Sequence, residues 1–477
     1  MTGGFELRGK HVLVVGLART GIATARYCAV HGAAVTATDA HTETELEPAV
    51  ADLREEGVKL ELGGQPVSSL LNQDLVIPSP GVPADAPLLK AARDKGITVW
   101  SEIELADRFL DGRLIGITGS NGKTTTTSLI HHILQHAGFS TVLAGNIGTP
   151  MISRVELTSE ETVTVAELSS FQLELIETFH PDISVLLNLT PDHLDRHITM
   201  QAYSAAKARI FENQTESDFA VVNADDPATR RLAPKRPQTY WFSRKEPVLQ
   251  GTFLRGEEIV FHSRKQEEIL FRREEISLPG VHNLENVLAA VTATRLAGAA
   301  HEAIAEAVRT FAGVEHRLEF VAEIAGVRYY NDSKATNVDA TLKALEAFPG
   351  RVLVILGGKD KGSDYSTLQQ ALKERSVLAL LIGEAAEKIE RQIAGSVTIE
   401  RAGTLQRAVE IASQAARRGD VVLLAPACAS FDQFKNYEQR GREFKELVRT
   451  GQQQTLKEFP SHGNGANNLD DSSQRER

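Results

Sequence analysis

Thr118-Gly119-Ser120-Asn121-Gly122-Lys123-Thr124 is the segment best equipped for chemistry. Its two glycines let consecutive backbone N–H groups turn toward one point, and a helix beginning at Lys123 adds its positive N-terminal end. Polyphosphate binding is the chemistry this suits. Lys123 is placed to meet the β- and γ-phosphates, the Thr124 hydroxyl can ligate magnesium, and Gly119, Ser120, Asn121, Gly122 and Thr125 complete the cradle. The pattern is TGxxGKT and not GxxxxGK[ST], because five residues separate Gly116 from Gly122. A glycine turn that merely starts a helix is the plain alternative. The apolar run LIGITG before the loop and the helical stretch after it, to about His136, favour a mononucleotide.

Glu167 closes the alternating run TVTVAELSS, and His193 follows the apolar run ISVLLNL, so a carboxylate and an imidazole are each delivered to a strand end, where α/β proteins place ligands. Neither residue is decisive alone. Lys207, inside the helical stretch MQAYSAAKARIFEN, reads by itself as a solvated helix lysine. Asn283 and Asn286 fall on one helix face and offer donors and acceptors that suit an adenine edge, although Asn283 could equally cap the helix near Gly280. Gly16-Leu-Ala-Arg-Thr-Gly21, with Asp39 beyond it, suggests a dinucleotide turn. The middle glycine that permits pyrophosphate approach is missing, which favours another nucleotide, and Asp39 can also be a strand-end turn residue.

Three α/β units position these groups. HVLVV, GLARTG and AAVTATD form a first strand–turn–helix–strand opening, LIGITG starts a second, and VRYYNDSKATN, VLVILGG, LALLIG and VVLLAPA mark a third. The expected fold is α/β in three domains: a Rossmann-like domain over 1–103, a central P-loop-type domain over 104–313 and a C-terminal Rossmann-like domain over 314–452. Residues 234–278 read as short antiparallel strands at the edge of the middle domain, 282–310 as one long helical stretch, and 453–477 as a disordered tail. At 477 residues several cores are needed. A net charge of −11 argues against nucleic acid or an anionic membrane as partner, and no apolar stretch approaches the roughly 20 residues that span a bilayer. The polar start Met1–Lys10 lacks a secretory segment, which makes the cytosol the expected location. Cys28 and Cys428 lie far apart and read as small buried residues.

TGSNGKT, GNIG, ELSSFQLE, PDHLDRH, AAKARIF, HNLENVLAA, HRLE, NDSKATN and APACASFDQFKNYEQRGREF together resemble the Mur ligase family, in order and spacing, over about residues 5–450. NDSKATN and PACASFDQF resemble its D-glutamate-adding members. The resemblance implies an ATP-dependent amide ligase acting through an acyl phosphate, with UDP-N-acetylmuramoyl-L-alanine and D-glutamate as substrates and a monomer as the acting unit. It implies two magnesium ions, one held by Thr124 and Glu167, the other by His193 and a Lys207 carbamylated by CO₂. It also implies adenine contacts from Asn283 and Asn286, ATP contacts from Arg317, Asp332 and Lys334, and closure of the third domain. D-glutamate would meet His193, Thr336, Lys361, Ser430 and the backbone at Tyr437, with Lys359 competing for the role of Lys361. The nucleotide-linked precursor would meet Leu17, Thr20, Asp39, Ser79, Gly81 and Asn146. A folylpolyglutamate-synthase-like ligase and a non-catalytic ATP-binding regulator are the alternatives; the second would lack Glu167, His193 or Lys207.

Overall fold

The computed structural model describes residues 5–458 except 48–49, 147 and 264–265. Three sheets organise the described residues, and the first two belong to one compact unit ending at Gly313, the third to a second unit starting at Val314. No helix among the described residues is long and apolar enough to cross a membrane.

The first sheet is wholly parallel, in the order Lys59–Leu62, Ala34–Asp39, His11–Val15, Leu75–Pro78, Thr98–Val99. Strand order reverses on either side of His11–Val15, so a crevice opens beyond its C-terminal end, where Gly16 begins the turn into helix Arg19–Val30. The second sheet has nine strands, with Arg113–Thr118 flanked by Ile183–Leu186 and Thr162–Glu167. Val12, Val14, Ile77, Ile103, Leu114, Leu168 and Phe179 belong to one buried cluster that runs through both sheets. Helix Glu102–Asp107 locks this junction: wholly buried Glu104 accepts the N–H groups of Glu177 and Phe179, each at 2.8 Å, and is paired with Arg108. The third sheet runs Glu319–Ile324, Val327–Asn331, Val421–Leu424, Val352–Gly357, Ser376–Ile382, Ile399–Gly403, parallel apart from its first pair.

Four sequence expectations are corrected. In 234–278, Gln238–Ser243 and Gly251–Arg255 pair parallel, and only Glu258–His262 and Glu267–Arg272 add antiparallel. Gly251 makes the parallel contact possible: at φ 127° a Cβ would lie 1.8 Å from the Trp241 carbonyl oxygen. The stretch 282–310 is two helices, Val281–Ala297 and His301–Thr310, because Gly298 takes a left-handed φ of 102° and ends the first. The third sheet starts earlier than Val327, with edge strand Glu319–Ile324, whose Phe320 faces solvent and hides the usual apolar signal. The final helix, Tyr437–Glu458, continues into the segment assigned to a tail, and 459–477 lie outside the described residues. Both cysteines are free and buried.

Candidate functional site

Strand Arg113–Thr118 leads into the 119–122 loop and helix Lys123–His136 with Gly122 as its left-handed cap at φ 83°. The loop is built against the segment that follows the neighbouring strand. Ser120 N–H donates to the Asn188 carbonyl (2.9 Å), Asn121 N–H to Asn188 Oδ1 (2.8 Å), and Asn188 Nδ2 donates back to the Asn121 carbonyl (3.1 Å). Ser120 Oγ donates to the Thr190 carbonyl (2.9 Å) and meets Tyr203 OH at 3.0 Å. On the other side a Cβ at Gly122 would sit 2.2 Å from Asn286 Oδ1. The cradle is therefore shaped before any ligand arrives, which removes part of the ordering cost of binding.

Two ammonium groups converge on this loop. Lys123 Nζ donates to the carbonyls of Gly119 (2.9 Å) and Ser120 (2.8 Å), while Lys207 Nζ donates to the same Gly119 carbonyl at 2.8 Å. Lys207 is 1% exposed, which overturns its reading as a solvated lysine. Burial, then the Lys123 charge, pushes its ammonium down to about 7. Glu167, paired in register with Ile117, is buried; one carboxylate oxygen accepts from Asn146 Nδ2 at 3.1 Å, and the other is buried with no hydrogen-bond partner among the described residues. A carboxylate oxygen left unsatisfied beside this loop is the kind of oxygen donor that a hard cation prefers. Thr124 and Thr125 are buried at the first turn of the helix.

His193 takes a left-handed φ of 52° and is half-exposed, its ring edge-on to Phe171 at 5.0 Å. Arg196 anchors this segment to the first sheet: it donates to the carbonyls of Pro80 (2.8 Å) and Val82 (2.9 Å) and stacks over Phe171 at 4.1 Å. Asn283 Nδ2 donates to the Pro279 carbonyl at 2.6 Å, and Asn286 Nδ2 to Asn283 Oδ1 at 3.2 Å. Both candidate adenine amides are thus buried beside the loop, and Gly280, not Asn283, is the helix cap.

In the first sheet the candidate precursor residues surround the Gly16 turn. Asp39 accepts Leu17 N–H (2.6 Å), His41 N–H (2.9 Å) and the His41 ring (2.8 Å); Ser79 Oγ donates to the Gly16 carbonyl at 2.7 Å. Leu17 is buried, Thr20 half-buried and Gly81 exposed. Asn146 stands apart from this group, on Glu167, although Arg19 at the start of the turn's helix reaches the Gly148 carbonyl at 2.7 Å.

In the second compact unit, Asp332, Lys334 and Thr336 follow strand Val327–Asn331, Lys359 and Lys361 follow Val352–Gly357, and Ser430 follows Val421–Leu424. Burial pushes the Asp332 carboxyl up to about 7 against the opposing pull of Arg317. Lys334 Nζ donates to Tyr437 OH at 3.3 Å, and the Tyr437 carbonyl accepts from Ser333 Oγ at 2.8 Å. Ser430 is buried, Thr336 half-buried, and Lys359 and Lys361 are both exposed; Lys359 N–H pairs with the Ala429 carbonyl. Glu315, His316 and Glu319 could converge on a cation, yet Lys445 Nζ already bridges the two acids at 2.5 and 2.9 Å.

Sequence reasoning passed over Asn188, Thr190, Tyr203, Arg196 and Arg440. Asn188 lies in the run ISVLLNL and Thr190 follows it, and Arg196 and Arg440 lie inside PDHLDRH and APACASFDQFKNYEQRGREF, which are the available signals; Tyr203 carries none that is local.

Family models match three successive stretches: Mur ligase MurD-like N-terminal domain over 10–101, Mur ligase middle domain over 117–294, and Mur ligase glutamate ligase domain over 316–428. The UDP-N-acetylmuramoylalanine--D-glutamate ligase of Koribacter versatilis is 53% identical, with 95% of this chain and all of that one covered. Its namesake from Acidobacterium capsulatum is 52% identical, covering 93% and 97%. Among solved structures, a UDP-N-acetylmuramate-alanine ligase from Thermotoga maritima matches with a TM-score of 0.57 at 20% identity, covering 93% of this chain and 99% of that one. A pseudomurein peptide ligase from Methanothermus fervidus gives the same TM-score at 18%, covering 93% and 100%. Those two speak for the fold alone. Identity above one half, sustained over relatives that are covered almost end to end, is what decides the question: the chain belongs to the Mur ligase family.

Proposed function

We propose that this chain uses ATP to join D-glutamate to UDP-N-acetylmuramoyl-L-alanine in the cytosol. The observation that carries the reading is the 53% identity to a full-length relative bearing that name. The preformed 119–122 cradle beside Glu167 and Lys207 is consistent with it. A carboxylate is a poor acylating agent, so the alanyl carboxylate oxygen attacks the γ-phosphorus of ATP and ADP leaves. The D-glutamate amine then adds to the acyl phosphate carbonyl, sheds its proton, and inorganic phosphate departs as the amide forms. Catalysis of this kind is positioning plus charge stabilisation and needs no protein nucleophile.

Lys123 turns from the loop carbonyls to the transferring phosphate. Thr124 and Glu167 would hold one magnesium ion, and His193 with a carbamylated Lys207 the other; bound there, the two ions neutralise phosphate charge. The orphaned Glu167 oxygen and the lowered pKa of Lys207, which puts a fraction of it in the free-amine form that adds CO₂, support that assignment. Asn283, Asn286, Arg317, Asp332 and Lys334 are assigned to ATP. Thr336, Lys361, Ser430, the Tyr437 backbone and His193 are assigned to D-glutamate. Leu17, Thr20, Ser79, Gly81 and Asn146 are assigned to the precursor, and Asp39 to bracing their turn.

The test is phosphate release from ATP with magnesium and UDP-N-acetylmuramoyl-L-alanine, comparing D-glutamate, L-glutamate, glycine, D-aspartate and no amino acid. Release and a new amide with D-glutamate alone is the expected result. Release with a different amino acid overturns the acceptor, and no release with any of them overturns the ligase.

A further inference from the structure

Arg440 is the largest side chain wholly withdrawn from solvent in the described structure. A guanidinium in such a place ordinarily pairs with a carboxylate, because an isolated buried charge is costly. Here each hydrogen bond goes to a neutral oxygen. Nε donates to Ser333 Oγ (2.9 Å), Nη2 to the Ser333 carbonyl (2.8 Å), and Nη1 and Nη2 to the Cys428 carbonyl, both at 3.3 Å; Nη1 also reaches the Ala429 carbonyl at 3.4 Å. Burial lowers its pKa to about 10, which leaves it charged at neutral pH, with Asp432 and Cys428 acting on it through space. Cys428 is itself neutral, its thiol pushed up to about 11 by burial.

The location gives this charge a purpose. Ser333 lies in the loop after Val327–Asn331, Cys428 and Ala429 in the loop after Val421–Leu424, and a Cβ at Gly358, after Val352–Gly357, would meet Nη1 at 3.2 Å. Those loops carry Thr336, Ser430 and Lys361. Ser333 relays the arrangement to a further candidate contact, since the hydroxyl that Nε holds is the one that donates to the Tyr437 carbonyl. Helix Tyr437–Glu458 is fixed in register beside it: any side chain at Gly441 would collide with His316 Nδ1, 2.1 Å from the Cβ position. Asp432 acts on this guanidinium through space and makes no hydrogen bond to it, so the fork is spent on the loop backbone and Ser333 and not on an acid.

We infer that Arg440 is a positioning residue for the anionic amino acid, holding the three strand-end loops in one geometry and leaving a positive charge beneath them that a dicarboxylate neutralises. The inference rests on the proposed D-glutamate ligase reading. Arg440 touches no substrate; it acts through Ser333, the 428–430 backbone and the field of its own charge. A lysine there keeps the charge and cannot span Ser333 and Cys428 with one planar fork, whereas glutamine loses the charge as well.

The experiment is a steady-state comparison of the wild-type chain with Arg440→Lys and Arg440→Gln, measuring KM separately for D-glutamate, ATP and UDP-N-acetylmuramoyl-L-alanine, with thermal unfolding as a check on folding. The expected result is a KM for D-glutamate raised by roughly tenfold in the lysine variant and more in the glutamine variant, with the other two KM values within about twofold of wild type. A folded variant with unchanged KM for D-glutamate overturns the inference. So do three KM values rising in parallel, or loss of cooperative unfolding in the lysine variant, either of which marks Arg440 as structural only. If the wild-type chain itself shows no D-glutamate-dependent release, it is the underlying function that fails.

Discussion

Two strand–glycine–helix turns sit in the first compact unit, one after His11–Val15 and one after Arg113–Thr118. They share a grammar and differ in how their polar groups are satisfied. The Gly16 turn is self-sufficient: Asp39 takes Leu17 N–H, Ser79 holds the Gly16 carbonyl, and the Asp39 carboxylate also accepts from the His41 backbone and ring. The 119–122 loop instead draws two lysine ammonium groups onto one carbonyl, beside a carboxylate with an unused oxygen. A turn whose donors and acceptors are matched by its own protein has less free energy to gain from a polyanion than one whose charges are unmatched. One that crowds like charges has much to gain. The difference teaches that it is the residues arriving from distant segments that turn a common turn into a site for chemistry.

Breaking the charge-crowded loop is expected to give the largest effect. Lys207→Ala should lower phosphate release by at least about a thousandfold, because it removes a group placed in the reaction's charge-stabilising set. Short-chain carboxylic acids added to this variant should restore part of the rate, supplying the oxygen ligand that the proposed carbamate would provide. Full activity without any addition would remove Lys207 from the mechanism.

The next effect sharpens the contrast between the turns. Gly122 and Gly16 have similar positive φ values, 83° and 89°, so alanine at either costs about 1–2 kcal/mol in backbone strain. Their surroundings differ. The new methyl at 122 points into Asn286 Oδ1 at 2.2 Å, whereas at 16 it meets Val82 Cγ2 at 3.1 Å and Ser79 Cβ at 3.2 Å. Gly122→Ala is expected to raise KM for ATP by roughly tenfold, the equivalent of about 1.4 kcal/mol. Gly16→Ala is expected to raise KM for the precursor and leave that for ATP alone. Identical KM patterns in the two variants would show that the turns do not serve separate ligands.

What the sequence made legible follows the same division between local and distant. Strand–turn–helix order, the TGxxGKT loop and strand-end Glu167 depend on neighbours in the chain, and periodicity with glycine placement reveals them. The burial of Lys207 does not: its helix is polar enough to pass for a surface one until Thr118 and Gly119, nearly ninety residues earlier, close over the ammonium. Asn188 and Thr190 shape the loop from about seventy residues away, and Arg440 reaches Ser333 across a separation of 107. The parallel pairing at Gly251 was hidden because alternation marks a strand and says nothing of its direction. Asp39 was read as either ligand or turn residue. Its oxygens, already accepting three protein donors, favour the turn.

The smallest predicted effect tests that last point. Burial works to raise the Asp39 pKa, and the N–H groups of Leu17 and His41 with the His41 ring outweigh it, leaving the carboxyl below its ordinary 3.8. A carboxylate depressed in the folded state contributes stability above 3.8 that is lost as pH falls through the lower, folded value. His41 runs the other way. Its pKa is raised chiefly by the Asp39 hydrogen bond, so its contribution is full below 6.5 and fades as pH rises through the folded value. Asp39→Asn keeps an acceptor for Leu17 and loses the charge, for a cost of about 1 kcal/mol at neutral pH. In urea melts the gap between wild type and variant should widen as pH falls through the raised pKa of His41, then close below pH 3.8. ATP affinity should not change. A variant whose stability gap is flat across that range would mean that Asp39 is not held by these partners, and the Gly16 turn would then have a carboxylate free to meet a ligand.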